Sequence, residues 1–188
     1  MKQNRKEIEL KIIGIDRKEA VLRLNEIGAK KRGTHHFKRI IGYLIDRPGM
    51  QSWIRLRTDG KTTTITLKEQ RGAGLNQTDE YEINVSDFKE AAMIMCRLFK
   101  ELLYEETTRT EYLFEGASIT IDQWPGLPLI MEIEGKDQEQ VKTIYKKLKI
   151  SGRPIGNISS SKVYKLYGKD ISKISKHVSK GNIKRFIK

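Results

Sequence analysis

Glu7-Ile8-Glu9-Leu10-Lys11 alternates charged and apolar side chains without a break. In an extended strand, residues two apart share a face. Glu7, Glu9 and Lys11 therefore stand together, and Ile8, Leu10 and Ile12 stand on the other side. Such a face is either wet or turned into a space that uses its charges. One strand cannot separate the two cases, so the rest of the chain has to.

Further strands repeat the pattern. Trp53, Arg55 and Arg57 oppose Ile54 and Leu56; Thr64, Thr66 and Lys68 oppose Ile65 and Leu67. Glu80 and Glu82 oppose Tyr81 and Ile83, and Arg109 shares a face with Glu111. Thr120 and Asp122 oppose Ile119 and Ile121, and Glu132 and Glu134 oppose Met131 and Ile133. Extended runs are expected over residues 7–13, 36–46, 52–58, 62–69, 79–85, 105–114, 117–123 and 129–134, with Asp59-Gly60 as a hairpin turn.

Helices are expected after Asp16, after Ser86 as far as Leu102, and after Asp137, with a short one over 160–167. The order strand, helix, three strands occurs twice, which reads as a duplicated unit. Amphipathic helices need an apolar surface to cover. If they cover the apolar sheet faces, the charged faces are left together. Eight strands are about enough to close a small barrel. The expected class is α+β: a closed eight-stranded antiparallel β-barrel with helices packed outside.

In such a barrel the acids Glu7, Glu9, Glu80, Glu82, Glu111, Asp122, Glu132 and Glu134 face the lumen with Lys11, Arg55, Arg57, Lys68 and Arg109. Desolvated charges are costly unless paired, and clustered carboxylates raise one another's pKa. Divalent cations relieve the acids, and hard oxygen donors suit Mg2+ or Mn2+. Guanidinium forks suit phosphate oxygens. The combination describes a polyphosphate site.

The ordered set resembles the CYTH family, also called triphosphate tunnel metalloenzymes. Glu7-x-Glu9-x-Lys11 matches its opening ExExK motif. Arg55-Leu56-Arg57, Lys68, Glu80 with Glu82, Arg109, Asp122 and Glu132-Ile133-Glu134 follow in its order, over residues 5–168. The resemblance implies a triphosphate tunnel domain over 1–168. It implies metal ligands at Glu7, Glu9, Asp122, Glu132 and Glu134, and triphosphate ligands at Lys11, Arg55, Arg57, Lys68 and Arg109. Glu80, Glu82 and Glu111 are expected to line the tunnel, and Lys162 belongs to a helix expected at one mouth.

Three functions follow as expectations. The first is hydrolysis of inorganic triphosphate or of a nucleotide or other organic triphosphate, with Mg2+ or Mn2+. The second is a class IV adenylyl cyclase making cyclic AMP and pyrophosphate from ATP. The third is a non-catalytic polyphosphate or RNA binding module. Hydrolysis is preferred because the Arg55-x-Arg57 and Glu132-x-Glu134 pairs are complete here, whereas bacterial class IV cyclases often depart from both.

The net charge of +13 fits anionic partners. Residues 169–188 hold seven Lys or Arg and one Asp, so the body is only mildly basic. This stretch reads as a basic tail, and nucleic acid is expected to bind, if at all, through it. The lone Cys96 excludes an intrachain disulfide and reads as a buried thiol. Residues 1–6 lack the apolar stretch of a signal peptide, and no run reaches membrane-span length. A cytoplasmic monomer or homodimer acting on a small triphosphate is the expectation. Gly60-Lys61-Thr62 is not a P-loop, because Arg55 stands where the motif needs glycine. The adjacent His35 and His36 point to opposite faces of a strand, which argues against a histidine metal site.

Overall fold

The structure, a computed structural model, describes residues 5–45 and 47–187. Asp46, the expected end of the second extended run (36–46), and residues 1–4 of the N-terminal stretch lie outside the described residues, as does Lys188. The chain runs β1 (Arg5–Glu7), β2 (Glu9–Ile13), α1 (Arg17–Glu26), β3 (Lys30–Tyr43), β4 (Gln51–Thr58) and β5 (Thr63–Gln70). It continues through β6 (Thr78–Asn84), α2 (Phe88–Leu98), β7 (Leu102–Phe114), β8 (Ala117–Gln123), β9 (Ile130–Glu134) and α3 (Gln138–Leu148). β10 (Arg153–Gly156), α4 (Ser160–Leu166), α5 (Ile171–Ile174), β11 (Lys176–Val178) and a 3-10 turn (Ile183–Arg185) follow.

Each long helix starts at an aspartate. Asp16 accepts from the backbone N–H of Lys18 and Glu19, Asp87 from Lys89 and Glu90, and Asp137 from Gln140. A cap of this kind contributes about 1 kcal/mol. Asp87 does the work expected of Ser86. The second helix stops at Leu98, short of the expected Leu102, and the following strand begins at Leu102 rather than at Glu105. Leu102 and Tyr104 face α2 on one side of β7, and Leu103 enters the other side. Burial on both faces hides the alternation that would have marked these residues as strand.

The strands form one antiparallel sheet in the order β1-β6-β5-β4-β3-β7-β8-β9-β2-β10, with β11 added on β7. It is strongly curled. Residues 5–7 pair with β6, at one end of the order, while residues 9–13 pair with β9, near the other. Glu9 N–H donates to the Leu75 carbonyl on one edge, and Ile8 C=O accepts from Gly135 N–H on the opposite edge. The expected count of eight strands is corrected: three short strands, β1, β10 and β11, join the eight anticipated ones among the described residues. The two similar units interlock, since β2 of the first pairs with β9 of the second and β6 of the second pairs with β5 of the first.

The outer face is apolar and largely covered, although Tyr81 and Ile83 on β6 stay exposed. Leu10, Ile12, Ile119, Ile121, Met131 and Ile133 pack under α1 and α3 through Ala20, Leu24, Val141, Ile144 and Leu148. Ile40, Leu56 and Tyr104 pack under α2 through Ala92, Met95 and Cys96. The basic terminal stretch joins this second cluster. Val178, Ile183 and Ile187 are buried in it, and β11 pairs with β7 through Lys176, His177 and Val178. Residues 171–187 are thus folded onto the body, and their charges sit on the exposed side of an anchored segment.

Candidate active site

Residues directly opposite in an antiparallel pair project to the same face, so the register shows which side chains meet. One row runs Glu82, Thr66, Arg55, Ile41, Leu103 across β6, β5, β4, β3 and β7. The next runs Asn84, Thr64, Arg57, Arg39, Glu105. A third runs His35, Arg109, Asp122, Ile130, Ile13, and a fourth Glu111, Thr120, Glu132, Lys11. Glu134 faces both Ser118 and Glu9, Lys68 faces Glu80, and Glu7 faces Thr78. Every strand residue expected in the site lies on this inner face. Lys162 does not: it lies on α4, half-buried, among the residues that cover one end.

Along the strands the face changes character. Toward one end it carries Ile13, Ile41, Trp53, Leu103 and Ile130, which pack with Trp124, Ile158, Val163, Tyr164 and Ile171. This apolar floor is held from outside by α4 and α5, and Tyr164 Oη donates to the Pro125 carbonyl at 2.8 Å. Toward the other end the face opens into a cavity of about 520 Å3 whose lining includes His35, Phe37, Arg57, Arg109, Glu111 and Glu134. The charged residues lie between floor and mouth.

Acids and bases there are interleaved. Lys68 Nζ donates to Glu7 Oε1 at 2.6 Å and lies 3.0 Å from Glu80. Lys11 donates to Glu9 and, at 3.2 Å, to Asn157 Oδ1, and lies 3.6 Å from Glu132. Arg109 grips Asp122 with two hydrogen bonds, Nε at 2.7 Å and Nη2 at 2.6 Å, and also donates to Glu132. Arg55 donates to Thr66 at 3.3 Å and lies 3.8 Å from Glu82. Arg57 lies over the Phe37 ring at 4.7 Å.

This crowding sets the protonation chemistry. Burial works against the charged form of Glu7, yet Lys68, Lys11 and Arg55 outweigh it and hold the carboxyl at about 2. Glu132 is likewise buried, and Arg109, Lys11 and Lys68 hold it at about 2. Burial, with Glu132 beside it, pushes Asp122 up against the pull of Arg109. Among the bases, Lys11 is lowered chiefly by burial. Arg57 is lowered first by the neighbouring Arg55 and then by burial. Cations that depress one another are short of anions, and phosphate oxygens would supply them.

As the side chains stand, no group of three or more His, Cys, Asp or Glu among the described residues is arranged to hold a metal ion. The donor set nevertheless suits one. Asp122 and Glu132 are buried, lie together and already share one cation, the Arg109 guanidinium. Glu7 and Glu9 complete an all-carboxylate set, the type preferred by hard divalent cations.

Two charged residues of the inner face escaped the sequence reading, the largely enclosed Arg39 and the buried Glu105. Both belong to strands whose neighbouring residues are apolar on both faces, so their alternation was masked. Asn157 and Gln70 were also missed. Gln70 Nε2 donates to the Asn157 carbonyl at 2.7 Å and so ties β5 to the segment after β10.

The CYTH domain family matches residues 5–167, and the chain belongs to that family. Its fold is similar to that of a Pyrococcus horikoshii OT3 protein, with a TM-score of 0.63 and 18% identity over 76% of this chain and 89% of that one. It is similar to a protein named as an adenylate cyclase from Vibrio parahaemolyticus, with a TM-score of 0.62 and 14% identity over 86% and 98% of the chains. It is also similar to a Hippeastrum protein named as an adenylyl cyclase and revealing a dominant triphosphatase activity, with a TM-score of 0.57 and 15% identity over 87% and 96%. No curated protein gives a significant match.

Proposed function

We propose that the curled sheet closes through residues 5–13 into a tunnel, and that this protein is a divalent-metal-dependent triphosphatase acting inside it. The observation that carries the reading is the pairing of two unlike sets on one face. Carboxylates held ionised stand beside guanidinium groups that lack enough anions. Lys11, Arg55, Arg57, Lys68 and Arg109 would bind the triphosphate. Glu7, Glu9, Asp122, Glu132 and Glu134 would hold Mg2+ or Mn2+. A bound cation supplies charge neutralisation at the phosphate oxygens and lowers the pKa of water.

The side chains have definite tasks in this scheme. Arg109 fixes Asp122 and Glu132 in one orientation, so that substrate and cation meet preplaced carboxylates. Arg55 and Arg57, two residues apart on β4, present parallel forks to successive phosphate oxygens. The apolar floor excludes water and entry from that end, so a triphosphate enters from the mouth with any organic part trailing outside. Hydrolysis needs no pocket for that organic part, whereas cyclisation needs the ribose held in one pose. The triphosphatase activity of the Hippeastrum neighbour supports the same preference.

The cyclase reading remains the second, because the Vibrio neighbour is named as an adenylate cyclase. Incubation with tripolyphosphate, ATP, GTP and thiamine triphosphate, each with Mg2+ or Mn2+ and with product identification, separates the two. Release of orthophosphate is expected; cyclic AMP without orthophosphate would overturn the proposal. No helix among the described residues is long and apolar enough to cross a membrane. We place the protein in the cytoplasm, as a monomer or homodimer.

A further inference from the structure

The inner face holds a base that no motif of the family resemblance includes. Arg39 stands opposite Arg57 on β4 and opposite Glu105 on β7. Its side chain is only 11% exposed. Its guanidinium lies 5.7 Å from the centre of the Trp124 ring, which belongs to the apolar floor. Arg39 therefore sits deeper than Arg57, where the charged layer meets the floor.

Its partners are insufficient for so buried a charge. Glu105 Oε2 lies 3.7 Å from Nη2, beyond hydrogen-bond distance, and the buried Nε has no partner. A largely desolvated guanidinium left in this state is unfavourable. Arg39 also adds positive charge beside Arg55 and Arg57 and helps to lower both. Such an arrangement becomes favourable once an anion lies among the three guanidinium groups. Glu105 is itself restrained, since it accepts from Ser175 Oγ at 2.7 Å. Ser175 lies past residue 167, so the anchored terminal segment reaches the site through this bond.

We propose that Arg39 binds the innermost phosphate of the substrate, with Glu105 and the Trp124 ring as positioning residues that aim its fork. This rests on the triphosphate reading above. The ring fixes the plane of the guanidinium, and Glu105 takes one side of it, leaving the other N–H groups for phosphate oxygens.

The test is calorimetric titration of tripolyphosphate into the full chain in the presence of a chelator, so that affinity is read without turnover. Arg39→Gln should weaken binding by about ten- to a hundredfold, the range for a lost hydrogen bond to a charged group. Arg39→Lys keeps the charge without the fork and should recover part of the loss. Thermal melting without ligand reports whether each variant is folded; if Arg39→Gln is not, Arg39→Lys decides, with weaker binding than the native chain expected. Glu105 acts through Arg39, so Glu105→Gln should lower affinity in the native background and leave that of Arg39→Gln where it is. A folded Arg39 variant that binds as tightly as the native chain overturns the inference and leaves the triphosphate reading standing. Failure of the native chain to bind tripolyphosphate both with the chelator and, in a parallel titration, with Mg2+ overturns both.

Discussion

Arg109 and Asp122 face each other across the β7–β8 ladder, and the guanidinium closes on the carboxylate through Nε at 2.7 Å and Nη2 at 2.6 Å. The same Nη2 also reaches Glu132. One cation thus organises two buried acids. Arg109→Met removes it and leaves Asp122 and Glu132 buried together. The loss should be about 3–5 kcal/mol, the range for breaking a buried ion pair from one side. Denaturant unfolding measures it. Added Mn2+ should restore part of the loss, because it replaces the missing positive charge; no recovery would count against these acids as cation ligands.

Glu7 and Glu132 are both held at about 2, below the ordinary 4.5. A carboxyl depressed in the folded state contributes stability above its unfolded pKa and loses it as pH falls toward the folded one. Stability should therefore decline as pH falls from about 4.5 to about 2. Glu7→Gln removes one of the titrating groups, so its unfolding free energy should change less steeply across this window. Matching slopes for variant and native chain in urea titrations at successive pH values would refute the assignment.

The terminal segment offers a third prediction. Val178 and Ile183 are buried against Ile40, Leu102 and Tyr104 on the outer sheet face. Ile183→Ala should cost about 2–5 kcal/mol, as for other fully buried aliphatic side chains. A solvated tail would give a change within about 0.5 kcal/mol. The midpoint of chemical denaturation distinguishes the two.

Gly156, the last residue of β10, packs closely against the loop before β6. Its φ is +72°, and a Cβ there would lie 2.2 Å from the Ala73 carbonyl oxygen. Gly156→Ala must displace backbone on a segment that also places Asn157, the partner of Lys11. A destabilisation of at least about 1–3 kcal/mol is expected from the backbone strain alone, together with weaker substrate affinity. Unchanged thermal stability would show that the two segments move apart freely.

The inner face was legible because its outward counterpart is consistently apolar. Wherever a strand is charged on one side and covered by a helix on the other, as at residues 55–57 and 132–134, alternation identifies both sides. It failed where both sides are apolar. Leu103 and Ile41 belong to the floor, while Leu102 and Ile40 belong to the outer core, so the run before Glu105 and the run after Arg39 read as unbroken hydrophobic stretches. The floor itself was not foreseen, because it is assembled from single residues of many strands and from α4 and α5. The terminal segment was misjudged for a different reason: its lysines dominate the composition, and the apolar residues that anchor it are widely spaced and divided between two clusters, Ile171 in the floor and Val178, Ile183 and Ile187 in the outer core.

The central claim is that the acids and bases of the inner face form a metal-dependent triphosphate-hydrolysing site. Glu132 is one of the acids and meets two of the bases, lying against Arg109 and 3.6 Å from Lys11. The most direct measurement is orthophosphate release from tripolyphosphate by the native chain and by Glu132→Gln, with Mg2+ or Mn2+ and with a chelator. The native chain should release orthophosphate only with metal, and folded Glu132→Gln should lose about a hundredfold or more in kcat, a loss of roughly 2.7 kcal/mol in transition-state stabilisation. Metal-independent release, or a folded Glu132→Gln as active as the native chain, would contradict the claim.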